Sequence, residues 1–142
     1  MEKQGINKAG WMVGAELKEF VIKPDHQQIF MYSAITWNRH LIHYNRQKAR
    51  AEGLPDVVVQ RGLIGNYFAQ FLESGMHHCA DILRLEWSVV QSAVPGDTLT
   101  CSGVARRIHE QKGDTRIEFD LSMVNQNAEL VAKGSGTVQL AG

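Results

Sequence analysis

Ile117, Phe119, Leu121 and Met123 are apolar, and the residues between them, Glu118, Asp120 and Ser122, are polar, as is Arg116 before them. A period of two is the mark of a half-buried strand, because successive side chains leave opposite faces of a sheet. The segment before Pro95 repeats it, with Leu83, Leu85, Trp87 and Val89 set against Arg84, Glu86 and Ser88. The stretches 98–109 and 129–139 alternate less cleanly and are rich in Thr and Val, which suit a pleated surface. Turn-forming groups separate these segments: "VPGD" at 94–97, "KGD" at 112–114 and "NQN" at 125–127. The second half is therefore predicted to be four strands joined by tight turns, an antiparallel meander with one wet face.

The first half carries a different period. After an opening strand at 15–22 ("AELKEFVI"), Pro24 and Asp25 suit a helix start, which continues through "HQQIFMYSAI" and stops near Trp37. Residues 44–52 predict a short exposed helix ended by Gly53 and Pro55. The long helix is 61–74, "RGLIGNYFAQFLES". Its Leu63, Ile64, Tyr67, Phe68, Phe71 and Leu72 form a broad apolar face. Gly62, Gly65 and Ala69 make a small-residue stripe where a sheet or a partner helix can approach, and Asn66, Gln70 and Glu73 make a polar one. One long helix against a curled antiparallel sheet is the economical α+β architecture, with all of 1–142 in a single domain.

Composition narrows the function classes. The chain has 142 residues with 15 basic and 15 acidic side chains. That balance argues against nucleic acid or an anionic membrane as the partner. No apolar run reaches a membrane-spanning length, and "MEKQGINKAG" lacks a signal-peptide core, so a cytoplasmic protein is expected. Cys79 and Cys101 form no spacing motif and are expected to stay reduced. Net charge near zero removes one barrier to self-association.

Chemistry gathers at 36–43, "TWNRHLIH", where Asn38, His40 and His43 fall within six positions. Imidazole changes charge near neutral pH and suits proton transfer, although a lone histidine here equally fits a packed helix end. Asn38 reads either as a turn residue bonding local backbone or as a ligand contact. His40 and His43 sit three apart and His77, His78 and Cys79 are contiguous, residue types that zinc sites use. No Cys-x-x-Cys or His-Glu-x-x-His is present, and His77 and His78 follow a helix C-terminus whose dipole favours them, so no metal is expected. Arg46, Lys48, Arg50, Arg106 and Arg107 read as a solvated basic face, with ligand phosphates as the alternative.

The run "YSAITWNRHLIHYNRQKARAEGLPDVVVQRGLIGNYFAQFL", with "VPGDTLTCSGV" and "MVNQNAELVAKGSGTV", resembles the MaoC-like dehydratases, hot-dog-fold relatives of (R)-specific enoyl-CoA hydratase. The hydratase signature of that family is Ser/Thr-Gly-Asp-x-Asn-Pro-Leu-His. Thr36 matches its first position, Trp37 replaces the glycine and Asn38 the catalytic aspartate. His40 stands for the asparagine, Leu41 for the proline, and His43 falls on the histidine. This form is similar to a branch acting on mesaconyl-, itaconyl- or methylfumaryl-type CoA esters. A second landmark, Val-His-Gly-x-Leu, appears as Val59-Gln60-Arg61-Gly62-Leu63.

The resemblance implies a hot-dog fold, a central helix wrapped by a curled sheet. It implies a hydratase or dehydratase acting across the α,β double bond of an acyl-CoA or carrier-protein thioester, without a cofactor. His43 would then be the general acid and base, with Asn38 orienting water, since an amide takes no proton at physiological pH. Backbone N–H groups near Arg61 and Gly62 would hold the thioester oxyanion. Tyr32, His40, Gln60 and Leu63 are the expected substrate contacts. Pairing of sheets edge to edge into a homodimer, or a larger assembly, follows from the same resemblance. Two other functions compete: a non-catalytic acyl-CoA-binding partner subunit of a hot-dog heteromer, which Asn38 favours, and a thioesterase, for which Glu73 is the candidate carboxylate.

Overall fold

A computed structural model of the chain describes residues 10–140. The segment 1–9, most of the stretch read for a targeting signal, lies outside the described residues. Strand β1 (Phe20–Ile22) leads to helix α1 (His26–Thr36), a single 3-10 turn (Leu41–His43), the short helix α2 (Arg46–Ala51) and the long helix α3 (Arg61–Gly75). Strands β2 (Ala80–Val89), β3 (Leu99–Gln111), β4 (Asp114–Val124) and β5 (Leu130–Leu140) follow. All pairings in the sheet are antiparallel, in the order β1-β3-β4-β5-β2.

Local chemistry sets the helix ends. Asp25 caps α1 by accepting the N–H of Gln28 at 2.7 Å, and Trp37 closes it at φ 58°. Asn45 caps α2 through the N–H of Lys48, and Gly53, at φ +83°, turns the chain away after it. Helix α3 buries the apolar face read from its sequence: Ile64, Tyr67, Phe68, Phe71 and Leu72 are all at 1% exposure or less. Opposite them lie Ile117, Phe119, Leu121 and Met123 of β4, the inward half of the period-two pattern. The small residues set the helix–sheet distance. A Cβ on Gly136 of β5 would come within 2.7 Å of Leu72, and one on Gly65 would enter the Trp87 ring. Of the small-residue stripe, Gly65 receives Trp87 of the sheet strand β2, as expected of a sheet, and Gly62 receives Tyr32 of α1.

Three expectations are corrected. The four strands are not a simple meander: β3, β4 and β5 are, but β2 pairs with β5 and forms the far edge. The link 90–98 is too long for a hairpin. It crosses the end of the sheet, where Ala93 is fully buried and its carbonyl accepts the N–H of Val59 at 2.8 Å. Leu83 does not face inward with Leu85 and Trp87. The pairing of β2 with β5 shifts between Ile82 and Arg84, and this bulge turns Leu83 to solvent. The opening strand is three residues long, because the register slips: Phe20 opposes Cys101 whereas Glu16 bridges Val104. The slip places Leu17 in the core.

Candidate active site

His43 closes the 3-10 turn, with its backbone N–H bonded to the carbonyl of His40. Its Nδ1 lies 2.7 Å from the carbonyl oxygen of Val58. A carbonyl only accepts, so Nδ1 carries the hydrogen and the neutral ring presents a lone pair at Nε2. A second bond, from the N–H of Val58 to the carbonyl of Ile42, ties the turn to the segment entering α3. The side chain is buried. Burial holds its pKa below 6.5, aided by the nearby His40 and opposed by the bond to Val58. At neutral pH the ring is an unprotonated base of fixed tautomer.

Asn38 is half-buried, and its Oδ1 accepts the N–H of His40 at 3.2 Å. The oxygen thus makes the local turn bond. Among the described residues its Nδ2 has no partner and is left to a ligand or water. His40 is exposed, with its ring 5.9 Å from that of His43.

The start of α3 is open. Gln60 holds the N-cap position, but its side chain caps nothing. Instead Nε2 donates to the carbonyl of Ile29 at 2.7 Å and to Ser33 Oγ at 2.9 Å, joining α1 to the head of α3. Gln60, an expected substrate contact, is 1% exposed, and its Oε1 has no partner among the described residues. The first bond inside the helix runs from the N–H of Ile64 to the carbonyl of Gln60, so the N–H groups of Arg61, Gly62 and Leu63 have no acceptor among the described residues. Unpaired donors and the helix dipole together make this end attractive to negative charge.

Two side chains fix that end. Arg61 donates to the carbonyl of Trp87 at 3.0 Å and lies over its ring at 4.9 Å, while Trp87 Nε1 donates back to the carbonyl of Arg61 at 2.9 Å. On the other side Tyr32 Oη rests against Gly62 and accepts a long bond from Asn66 Nδ2 at 3.4 Å. Tyr32 and Leu63 line a groove of about 480 Å³ between α1 and α3.

Val58, Asn66 and Trp87 were not singled out as site residues. Only Asn66 had a signal, its place on the polar stripe of α3. The basic residues are largely paired: Arg46 with Asp56 at 2.9 Å, Arg106 with Asp120 at 3.2 Å, and Arg107 with Glu118 at 3.4 Å. Among the described residues no three His, Cys, Asp or Glu side chains gather where a cation could be held. No helix among them is long and apolar enough to cross a membrane.

Solved structures share this architecture. The ChsH1-ChsH2 complex from Mycobacterium tuberculosis matches with a TM-score of 0.81 at 20% identity, over 91% of this chain and 98% of that one. An (R)-hydratase from A. caviae involved in PHA biosynthesis matches at 0.82 and 16% identity, over 92% and 97%. A MaoC-like dehydratase from Rhodospirillum rubrum matches at 0.77 and 15% identity, over 96% and 97%. Comparison with curated proteins gives no match. The likeness establishes the hot-dog fold. Residues 13–95, more than half of the chain, match the family described as hydroxyacyl-thioester dehydratase type 2. The chain belongs to that family and is a hydro-lyase.

Proposed function

We propose that the chain adds or removes water across the α,β double bond of a thioester, with His43 moving the proton. In the direction of hydration, Nε2 takes a proton from water as its oxygen attacks the β-carbon. The electrons pass to the thioester oxygen, which the N–H groups of Arg61 and Gly62 stabilise. The protonated Nε2 then delivers the proton to the α-carbon, and dehydration is the reverse. The Asn38 amide orients the water. The observation that carries this reading is the bond from His43 Nδ1 to the Val58 carbonyl, which leaves Nε2 free as a base. Each oxyanion donor is worth about 10²–10³ in rate, so the uncapped head of α3 matters on the same scale as the imidazole.

The substrate is a CoA or carrier-protein ester, and the chain works as a homodimer or larger assembly. The ten-residue β2 at the edge of the sheet supports that expectation, since an unpaired edge is a template for a second strand. A second reading, a partner subunit of a heteromer, draws on Asn38 and on two neighbours described as complexes, ChsH1-ChsH2 and HadBC, the latter a 3R-hydroxyacyl-ACP dehydratase. Nothing favours the thioesterase. Glu73 lies twelve residues beyond Arg61, roughly 18 Å along the helix.

Incubation of the pure chain with a panel of enoyl-thioesters, mesaconyl- and itaconyl-type CoA esters included, tests this. Loss of the conjugated-thioester absorbance with formation of a hydroxyacyl product is expected. Release of free thiol would favour the thioesterase, and turnover only after a second subunit is added would favour the partner role.

A further inference from the structure

The groove between α1 and α3 has a lining that suits one part of a thioester. Met31 and Ile35, one turn apart on α1, and Leu63 on α3 supply apolar walls. Set into them are the amides of Gln28, Asn66 and Gln70 and the hydroxyl of Tyr32. Each keeps hydrogen-bonding capacity in hand. Tyr32 Oη accepts from Asn66, so its own hydrogen is free to donate. Gln28 Oε1 accepts from the hydroxyl of Tyr67, which leaves its Nε2. Among the described residues Asn66 Oδ1 and the whole Gln70 amide have no partner. The one charged residue in the lining, Asp25, is committed to capping α1.

Apolar walls with neutral donors and acceptors match neither a nucleotide diphosphate, which calls for cations, nor a plain alkyl chain, which has no use for amides. They match a chain of methylenes interrupted by amides. Resting on the thioester reading above, we propose that this groove receives the pantetheine arm that CoA and carrier proteins share. The inner end of the groove is the first turn of α3, where Tyr32 touches Gly62. Gly62, Asn66 and Gln70 follow one another at steps of about 6 Å along the helix. The thioester and the two amides of pantetheine, joined by two-carbon links, are spaced on the same scale. The thioester carbonyl lies at the helix head, with the Tyr32 hydroxyl beside it. Asn66 meets the first amide and Gln70 the second.

The test compares thioesters of one acyl group on pantetheine, on CoA, on a carrier protein and on ethanethiol, which lacks both amides. Asn66→Leu is expected to lower kcat/KM on the pantetheine ester about tenfold relative to the ethanethiol ester, the scale of one lost hydrogen bond. Gln70→Leu, on the exposed helix surface, is expected to lower the same ratio and guards against misfolding of the first variant. An unchanged ratio in both variants overturns the proposal, because the groove then holds the acyl chain or nothing. In the wild type, the carrier whose ester exceeds the bare pantetheine ester in kcat/KM names the source. The Asn66→Leu loss is expected for all three pantetheine-bearing esters, and a loss confined to one of them counts against the arm.

Titration of ¹⁵N-labelled protein with pantetheine alone separates this proposal from the reaction. Shifts in the Asn66 and Gln70 side-chain NH₂ signals are expected, and their absence overturns the groove assignment. Shifts without turnover of any thioester would leave the groove standing and remove the hydratase.

Discussion

Gly65→Ala puts two physical effects in opposition, so its sign is informative. In an exposed helix the change stabilises by about 1 kcal/mol through helix propensity. At this position the new Cβ would lie 2.5 and 2.6 Å from Cη2 and Cε2 of Trp87. The ring cannot retreat freely, since its Nε1 is bonded to the carbonyl of Arg61 and the guanidinium of Arg61 covers it. Overpacking a closed site costs about 1–3 kcal/mol, and losing the indole hydrogen bond costs about 1 kcal/mol more. The net expectation is destabilisation by about 2 kcal/mol, or roughly 6 °C in Tm for a chain of this length. Thermal unfolding followed by circular dichroism measures it. In a Trp87→Leu background the same substitution is expected to be neutral or stabilising, because the clash is gone. A Tm for Gly65→Ala equal to or above that of the wild type would refute the claim that Trp87 is seated on Gly65.

Asp25→Ala removes the cap of α1 and is expected to cost about 1 kcal/mol in a urea melt, with no change in m-value. Asn38→Asp keeps an acceptor for the His40 N–H and adds a negative charge in the turn that carries His43. The His43 pKa should rise, moving the acidic limb of the pH–rate profile toward neutral pH; a limb that stays in place would mean that position 38 does not sense the imidazole. His43 also gives stability a pH dependence. Its folded pKa lies below 6.5, so the unfolded chain binds the extra proton first as pH falls. The contribution is complete above pH 6.5 and is lost as pH drops below it toward the folded pKa. Chemical melts from pH 8 to pH 5 should show a decline that is shallower in His43→Gln.

Much of this was legible because it is local. The alternation at 116–123 named the four buried residues of β4, the spacing in 61–74 named the buried face of α3, and Pro24-Asp25 marked a helix start that the cap at Asp25 bears out. A period of two says which face a residue takes but not which strand lies beside it. The place of β2 next to β5 was therefore beyond the pattern, as was the bulge that turns out Leu83. At the candidate site, the register of "TWNRHLIH" pointed to His43 and the landmark Val59–Leu63 to the head of α3, both as expectations. What orders them is contact across the sequence: His43 with Val58, Gln60 with Ile29 and Ser33, Arg61 with Trp87, Tyr32 with Gly62. No spacing rule reports such pairs. Gln60 shows the consequence, since its register gave no hint that its Nε2 would join Ile29 and Ser33 of α1 to the head of α3.

The central claim is that the Nε2 of His43 moves the proton. It is tested most directly by kcat/KM of His43→Ala on the best enoyl-thioester of the wild type, with both proteins shown to be folded by circular dichroism. A loss of about 10²–10⁴-fold is expected on removing a general acid–base group, together with loss of the acidic limb of the pH profile. Activity within a few-fold of the wild type, with that limb intact, would contradict it.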